Sequence, residues 1–182
     1  MTFFRNLDDV NANSECLFSL ADVEKNLDIT IRQITAELQD SRPVVIGVMR
    51  GALAMMGHIL PRLPFYLEVD YVHASRYQNQ LQPGELMWVH EPHIPLAGRS
   101  VLLVDDILDQ GITLQAIAEK CHALGASEVK IAVLCKKIIA GFEPAIAADY
   151  IAMTVPDAYV FGYGMDCEGG WRNAPGIYKL KS

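Results

Sequence analysis

The chain has 182 residues, half of them hydrophobic and a fifth charged, with a formal net charge of −7. That length suits one domain that buries roughly 70% of its unfolded surface, while the acidic balance and the lack of a long Lys/Arg run speak against nucleic-acid binding driven by counterion release. No stretch reaches the ~18 apolar residues of a membrane span, and Cys16, Cys121, Cys135 and Cys167 contain no C-x-x-C pair, so they read as free thiols of a reducing compartment, the cytoplasm.

The opening "MTFFRNLDDVNANSE" lacks the apolar run of a signal peptide. In "SLADVEKNLDITIRQITAEL", Leu20, Val23, Leu27, Ile31, Ile34 and Leu38 recur at steps of three and four, one stripe of a helix. Ser19 and Asp22 fit a capping box at its start, and Pro43 marks the break after it. "VVIGVM" is a short β-branched run, a buried strand, and "ALAMMGHIL" after Gly51 is a helix that stops at Pro61. "FYLEVDYVHAS" alternates in part and reads as the next strand. Residues 76–100 are polar and carry Pro83, Gly84, Pro92, Pro95 and Gly98, the signature of a lid or a disordered segment, with "ELMWVH" as a hairpin arm inside it. "SVLLV" is a strand, and "TLQAIAEKCHALGA" is a helix with Gly125 in the C-terminal capping place. "EVKIAVLCKK", "DYIAMTV" and "YVFGYGM" complete the strands. Strands alternating with helices imply a mostly parallel sheet with helices on both faces. Ligands of such sheets bind beyond the carboxyl ends of the strands, which puts Met49 to Ala52, Asp105 to Thr113, Lys136 and Asp166 near one rim.

The segment "VLLVDDILDQGITL" concentrates the chemistry. Carboxylates accept hydrogen bonds and bind cations, so Asp105 and Asp106 can hold the vicinal hydroxyls of a ribose or approach a metal ion. "DQGIT" then enters a helix, whose first N–H groups and dipole favour a phosphate. Gly111 allows close backbone approach, and Thr113 adds a hydroxyl. A phosphorylated ribose fits both halves. A solvated acidic turn that merely caps the helix is the plain competing reading. A Walker A loop is excluded because no Gly-Lys-Ser/Thr is present. The D-D-x-x-D string of prenyl-diphosphate enzymes belongs on a helix, whereas here β-type residues precede it and Gly111 follows.

These residues resemble the phosphoribosyl pyrophosphate (PRPP) motif of the type I phosphoribosyltransferases: an apolar run, an acidic pair, two apolar residues, Asp and Gly-x-Thr. Three further segments resemble the hypoxanthine-guanine branch of that family. They are "VMRGALAMMGHIL" for the pyrophosphate loop and helix, "VLCKK" for the purine-contacting Lys strand, and "VPDAYVFGYGMDCEGGWRNAPGIYKL" for the C-terminal purine segment. The similarity runs from about residue 15 to the end. It implies an α/β fold with a central mostly parallel sheet flanked by helices, a small hood and a mobile lid. One domain would span 1–182, with the lid at about 75–98 and the hood segment at about 156–182.

The resemblance also implies roles. Asp109 is the expected general base near the purine N7, and such bases typically contribute about 10²–10⁴-fold. Asp105 and Asp106 hold the ribose hydroxyls. Gln110, Gly111, Ile112 and Thr113 bind the 5′-phosphate, chiefly through backbone N–H groups. The family often has Thr or Ser at the place of Gln110 and a basic residue at that of Ile112, and backbone donors survive both changes. Arg50, Gly51 and Arg172 bind pyrophosphate, in a loop that carries a cis peptide in the family. Lys136 donates to the purine 6-oxo group, with Lys137 on the other side of the strand. Tyr159 stacks on the purine, Val160 offers backbone contacts, and Asp166 lies near the purine and Mg²⁺, with Asp105 and Asp106 as further candidate metal ligands. Arg76 and Tyr77 belong to the lid, where relatives commonly have Ser-Tyr. Considered singly, Arg50 and Arg172 could be surface charges and Tyr159 a core tyrosine.

The implied reaction transfers phosphoribosyl from PRPP to hypoxanthine or guanine, with Mg²⁺, in a homodimer or homotetramer without nucleic-acid or membrane partners. The same motifs suit an enzyme for xanthine or uracil, or a PRPP-sensing regulator that binds nucleic acid. The acidic charge opposes the regulator. His90 and His93 in "HEPH" have a spacing that can suit zinc, but two ligands in a Pro-bearing loop read better as a solvated loop. Met55, Met56 and His58 read as packing residues.

Overall fold

A computed structural model describes residues 4–75 and 86–181. The main sheet holds β2 (Val44–Val48), β3 (Glu68–Ser75), β4 (Met87–His90), β5 (Ser100–Leu108), β6 (Glu128–Ile138) and β7 (Tyr150–Pro156), in the order β4-β3-β2-β5-β6-β7. All neighbours are parallel except β3 and β4, the expected hairpin arm. The direction of winding reverses between β2 and β5, so the loops that follow these two strands flank one crevice.

Helices cover both faces. Helix α2 (Leu20–Leu38) starts at the expected box, with the Asp22 N–H donating to Ser19 Oγ and the Ser19 N–H donating to Asp22 Oδ2. Its buried Val23, Leu27, Ile31, Ile34 and Leu38 pack with Met55, Met56 and Ile59 of α3 (Leu53–Ile59) against one face. Full burial of one such side chain contributes roughly 1.5–3 kcal/mol. Helix α4 (Ile112–Ala123) applies Leu114, Ile117 and Cys121 to the other face. Gly125 follows it in a left-handed conformation, and the Ala126 N–H donates to the Cys121 carbonyl, closing the end as expected.

Three parts differ from the sequence reading. A second, antiparallel sheet in the order β1-β9-β8 joins β1 (Ser14–Ser19), β9 (Gly176–Leu180) and β8 (Val160–Phe161), and a short helix α1 (Leu7–Asn13) precedes it. The two ends of the chain thus build one hood, whose β1–β9 pairing crosses most of the sequence and leaves no local periodicity. The strand expected over "YVFGYGM" stops at Phe161, because Gly162, Tyr163 and Gly164 have φ of 98°, 47° and 113°, which no strand accepts. Strand β5 runs through the acidic residues to Leu108, since β6 continues beside it and pairs Asp105 with Val133, Ile107 with Cys135 and Leu108 with Lys136.

His90 lies in β4, its ring stacked 4.0 Å from Tyr71 and 4.7 Å from that of His93. No described helix is long and apolar enough to cross a membrane. Arg76 and Tyr77, the expected lid residues, lie outside the described residues.

Candidate active site

The site forms where β2 and β5 end. Asp105 and Asp106 are consecutive, so their side chains leave opposite faces of the strand. Asp106 points into the crevice, while Oδ1 of Asp105 accepts the Asp106 N–H at 2.9 Å. Burial, then repulsion from Asp106, pushes Asp105 well above the usual carboxylate range. Burial also raises Asp106, and the nearby Arg172 charge partly opposes this. Both carboxylates therefore sit where positive charge is wanted.

Gly51 follows β2 and lies directly on the Asp106 carboxylate. A Cβ at this position would overlap that carboxylate, so only glycine fits. The Met49–Arg50 peptide is cis, and Arg50 is exposed beside it. After β5, Gly111 adopts φ 77° and opens α4 without any side-chain cap. The first-turn N–H groups therefore call for another acceptor. The Ala145 N–H donates to the Gln110 carbonyl at 2.9 Å and fixes this turn. Gln110 and Ile112 are exposed there, and Gly111 and Thr113 are half-buried.

The hood closes the crevice from above. A cavity of about 210 Å³ is lined by Asp106, Ile107 and Asp109 of the β5 segment, Lys137 of β6, and Tyr159, Val160, Met165 and Asp166 of the hood. Lys137 Nζ stands 3.0 Å from Asp109 Oδ2. The Tyr159 hydroxyl donates to the Asp166 carbonyl at 3.2 Å and accepts the Glu168 N–H at 3.3 Å, which fixes the half-exposed ring at the rim. Arg172 gathers the acids: Nη2 is 2.6 Å from Asp166 Oδ1, and Nη1 is 2.7 Å from the Gly164 carbonyl and 3.8 Å from Asp106 Oδ2. The Gly169 N–H donates to the other Asp166 oxygen at 2.8 Å.

One expected residue is displaced. Lys136 does not line the cavity; Lys137 does. The cause lies in β6, where Ala132 and Leu134 pack into the α2–α3 side, yet the adjacent Cys135 packs there too. Alternation slips by one residue, and Lys137 inherits the face that regular alternation assigns to Lys136. The run "IAVLC" is apolar throughout, so the slip leaves no trace in the sequence. Ile107 and Met165, also cavity walls, were missed because apolar residues next to a motif carry no distinguishing chemistry. Among the described residues no group of three or more His, Cys, Asp or Glu is arranged to hold a metal by itself.

Residues 17–168 match the family described as the phosphoribosyl transferase domain. The chain belongs to the phosphoribosyltransferase family. It is 35% identical to the hypoxanthine-guanine phosphoribosyltransferase of Bacillus subtilis, over 91% of this chain and 92% of that one. It is 31% identical to the hypoxanthine-guanine-xanthine phosphoribosyltransferase of Tritrichomonas foetus, over 91% and 90%. A solved hypoxanthine phosphoribosyltransferase from Staphylococcus aureus superposes with a TM-score of 0.87 at 26% identity, covering 98% of both chains.

Proposed function

We infer that this chain is a purine-salvage enzyme that transfers the 5-phosphoribosyl group from PRPP to hypoxanthine, guanine or both, giving IMP or GMP and pyrophosphate. The observation that carries this reading is the single cavity in which acids of the PRPP motif face the hood, with Lys137 between them. The whole chain, 1–182, acts as one phosphoribosyltransferase domain, its hood at about 156–182 and its lid at about 75–98.

In this reading the bond from ribose C1 to pyrophosphate breaks as a purine nitrogen bonds to the same carbon. Asp109 takes the purine proton near N7. Its place beside Lys137 at the cavity wall supports that role. Lys137, in the role the resemblance gave Lys136, donates to the 6-oxo group. A site built to donate there disfavours adenine, whose 6-amino group is itself a donor. Tyr159 stacks on the base and Val160 contributes backbone groups. Asp105 and Asp106 accept from the ribose hydroxyls. The uncapped turn Gln110–Thr113 takes the 5′-phosphate. Arg50, Gly51 and Arg172 hold the pyrophosphate, and Arg76 and Tyr77 belong to the lid that excludes water from the oxocarbenium-like centre.

The acids fit Mg²⁺. Asp105, Asp106 and Asp166 are hard oxygen donors, and Asp105 and Asp106 stay raised although Arg172 opposes the shift. A partial protein ligand set suits an ion that keeps pyrophosphate oxygens and water as its other ligands. Mg²⁺, when bound, supplies neutralisation of the leaving pyrophosphate. The proposal includes a cytoplasmic enzyme, supported by four free cysteines. It also includes a homodimer or homotetramer, supported by exposed Val69, Tyr71, Met87 and Val89 on the β3–β4 edge.

The test is an assay of pyrophosphate release with PRPP, Mg²⁺ and, in turn, hypoxanthine, guanine, xanthine, adenine and uracil. Turnover of hypoxanthine or guanine is expected. Xanthine is included because the Tritrichomonas relative is named for it. No release with any 6-oxopurine would overturn the reading.

A further inference from the structure

His58 carries the only buried side-chain nitrogen or oxygen among the described residues that lacks a hydrogen-bond partner, its Nε2. Its Nδ1 lies 3.1 Å from the Tyr163 hydroxyl. A buried polar atom left unpaired is costly, and such groups persist where function holds them. Neither residue has a role in the reaction described above.

Tyr163 occupies an unusual place. It is a left-handed residue between two left-handed glycines, a backbone region that residues with side chains seldom adopt. The turn is held on its hood side by backbone bonds. The Tyr163 N–H donates to the Ala174 carbonyl at 3.0 Å, and the Gly164 N–H donates to the Arg172 carbonyl at 2.8 Å. On its other side the Tyr163 ring reaches His58 of α3, the helix that begins just after Gly51 and Ala52. Gly164 meanwhile packs on the Gly51 carbonyl so closely that a Cβ on Gly164 would overlap it. The Gly164 carbonyl accepts from Arg172 Nη1, the same nitrogen that faces Asp106.

We propose that the His58–Tyr163 hydrogen bond is a latch that positions the pyrophosphate side of the site, fixing Gly164 against Gly51 and Arg172 against Asp106. His58 and Tyr163 are positioning residues that act through these contacts. The base side has a separate anchor, because β8 pairs with β9 through Val160 with Lys179 and Phe161 with Tyr178. Loosening the latch therefore disturbs pyrophosphate binding and leaves the purine platform in place.

A neutral His58 suits the latch, since a protonated ring would bury a positive charge with an N–H at the partnerless Nε2. Burial holds the His58 pKa below its usual value, and Arg62 acts in the same direction. Glu24 and Asp28 of α2 oppose them.

The inference rests on the phosphoribosyl-transfer reading for its kinetic test, and a second measurement judges it without turnover. Tyr163→Phe removes only the hydroxyl. It should raise KM for PRPP about fivefold to tenfold, the loss of one ordinary hydrogen bond, and leave KM for hypoxanthine within about twofold. His58→Leu should act alike, and the double variant should be no worse than either single one. His58→Asn, whose amide can still meet the hydroxyl, should restore the wild-type KM. Backbone amides of Gly162–Met165 should exchange hydrogen faster in Tyr163→Phe without any substrate present. Equal rises in both KM values, additive effects or unchanged exchange would overturn the latch. Wild-type protein with no turnover would instead count against the reading, and the exchange rates would still decide on the latch.

Discussion

Replacing Lys137 with alanine removes the ammonium that stands 3.0 Å from Asp109 Oδ2 at the wall of the cavity. Two effects contribute. The ion pair itself is weak, because the Asp109 side chain is 42% exposed and water screens it; such pairs contribute about 0–1 kcal/mol. The larger effect is the proposed charge-assisted hydrogen bond to the purine, made by a side chain that is only 16% exposed. Bonds of this kind contribute roughly 1.5–3 kcal/mol, which corresponds to about a 10- to 150-fold loss in kcat/KM for hypoxanthine. Lys136→Ala is the control one residue away and should stay within about twofold. The assay is initial-rate kinetics with hypoxanthine at saturating PRPP, with melting temperatures to confirm folding. A larger loss in Lys136→Ala than in Lys137→Ala would refute the slipped register. A loss in Lys137→Ala confined to the PRPP KM would refute its placement at the base.

Asp109→Asn should lower kcat by about 10²–10⁴-fold while PRPP binding, followed by calorimetry, is largely kept; unchanged kcat would remove Asp109 as the base. Asp105→Asn should raise the melting temperature of the substrate-free protein at pH 7. Asp105 titrates higher folded than unfolded, so its contribution to stability is fully present below the unfolded value near 3.8 and is lost as pH rises through the folded value. The gain from Asp105→Asn should accordingly fade as pH falls toward 4, and a gain that is independent of pH would show that the buried, repelled charge of Asp105 is not its source. PRPP with Mg²⁺ should stabilise the wild type by about 2.7 kcal/mol at a hundredfold excess over Kd, read as a higher melting temperature. Gly51→Ala places a methyl group on the Asp106 carboxylate and should reduce kcat/KM for PRPP by about 10- to 100-fold, the kinetic equivalent of about 1–3 kcal/mol of overpacking. Normal kinetics in that variant would mean the loop yields freely.

What could be read from the sequence follows the range of the interactions involved. Helix α2 is written in a local stripe and a local capping box, and both stand as expected except at Leu20, which is exposed at the first turn. The PRPP segment is equally local: an apolar strand, acids, and a left-handed Gly111 opening a helix. The hood sheet is different. "SECLFS" becomes a strand only because β9, from the other end of the chain, pairs with it. Lys137 is intermediate, since the resemblance of "VLCKK" pointed to Lys136 and only the packing of Leu134 and Cys135 on one face turns its neighbour into the cavity. His58 reads as a plain packing residue, because its partner Tyr163 lies far along the chain, in a turn whose left-handed backbone the flanking glycines only hint at.

The crowded acids are sustained by what surrounds them. Asp105 and Asp106 continue a strand whose preceding residues, Val101 to Val104, are wholly buried between two apolar clusters. That burial is large enough to carry a locally unfavourable pair of charges, because the apolar side chains on both faces of β5 anchor it far more strongly than two raised carboxylates weaken it. The glycine contacts serve the same end. Gly51 and Gly164 bring two backbone segments against Asp106, and Arg172 is its one ion-pair partner among the described residues. Three departures from ordinary local preference lie close together: the adjacent Asp105 and Asp106, the left-handed Tyr163 between Gly162 and Gly164, and the partnerless Nε2 of His58. Another wall of the cavity is built differently: Val160 belongs to ordinary paired strand, and Lys137 faces Asp109. Under the proposed roles, the unusual backbone lies on the side that would receive the charged pyrophosphate, and regular paired strand on the side that would receive the neutral base.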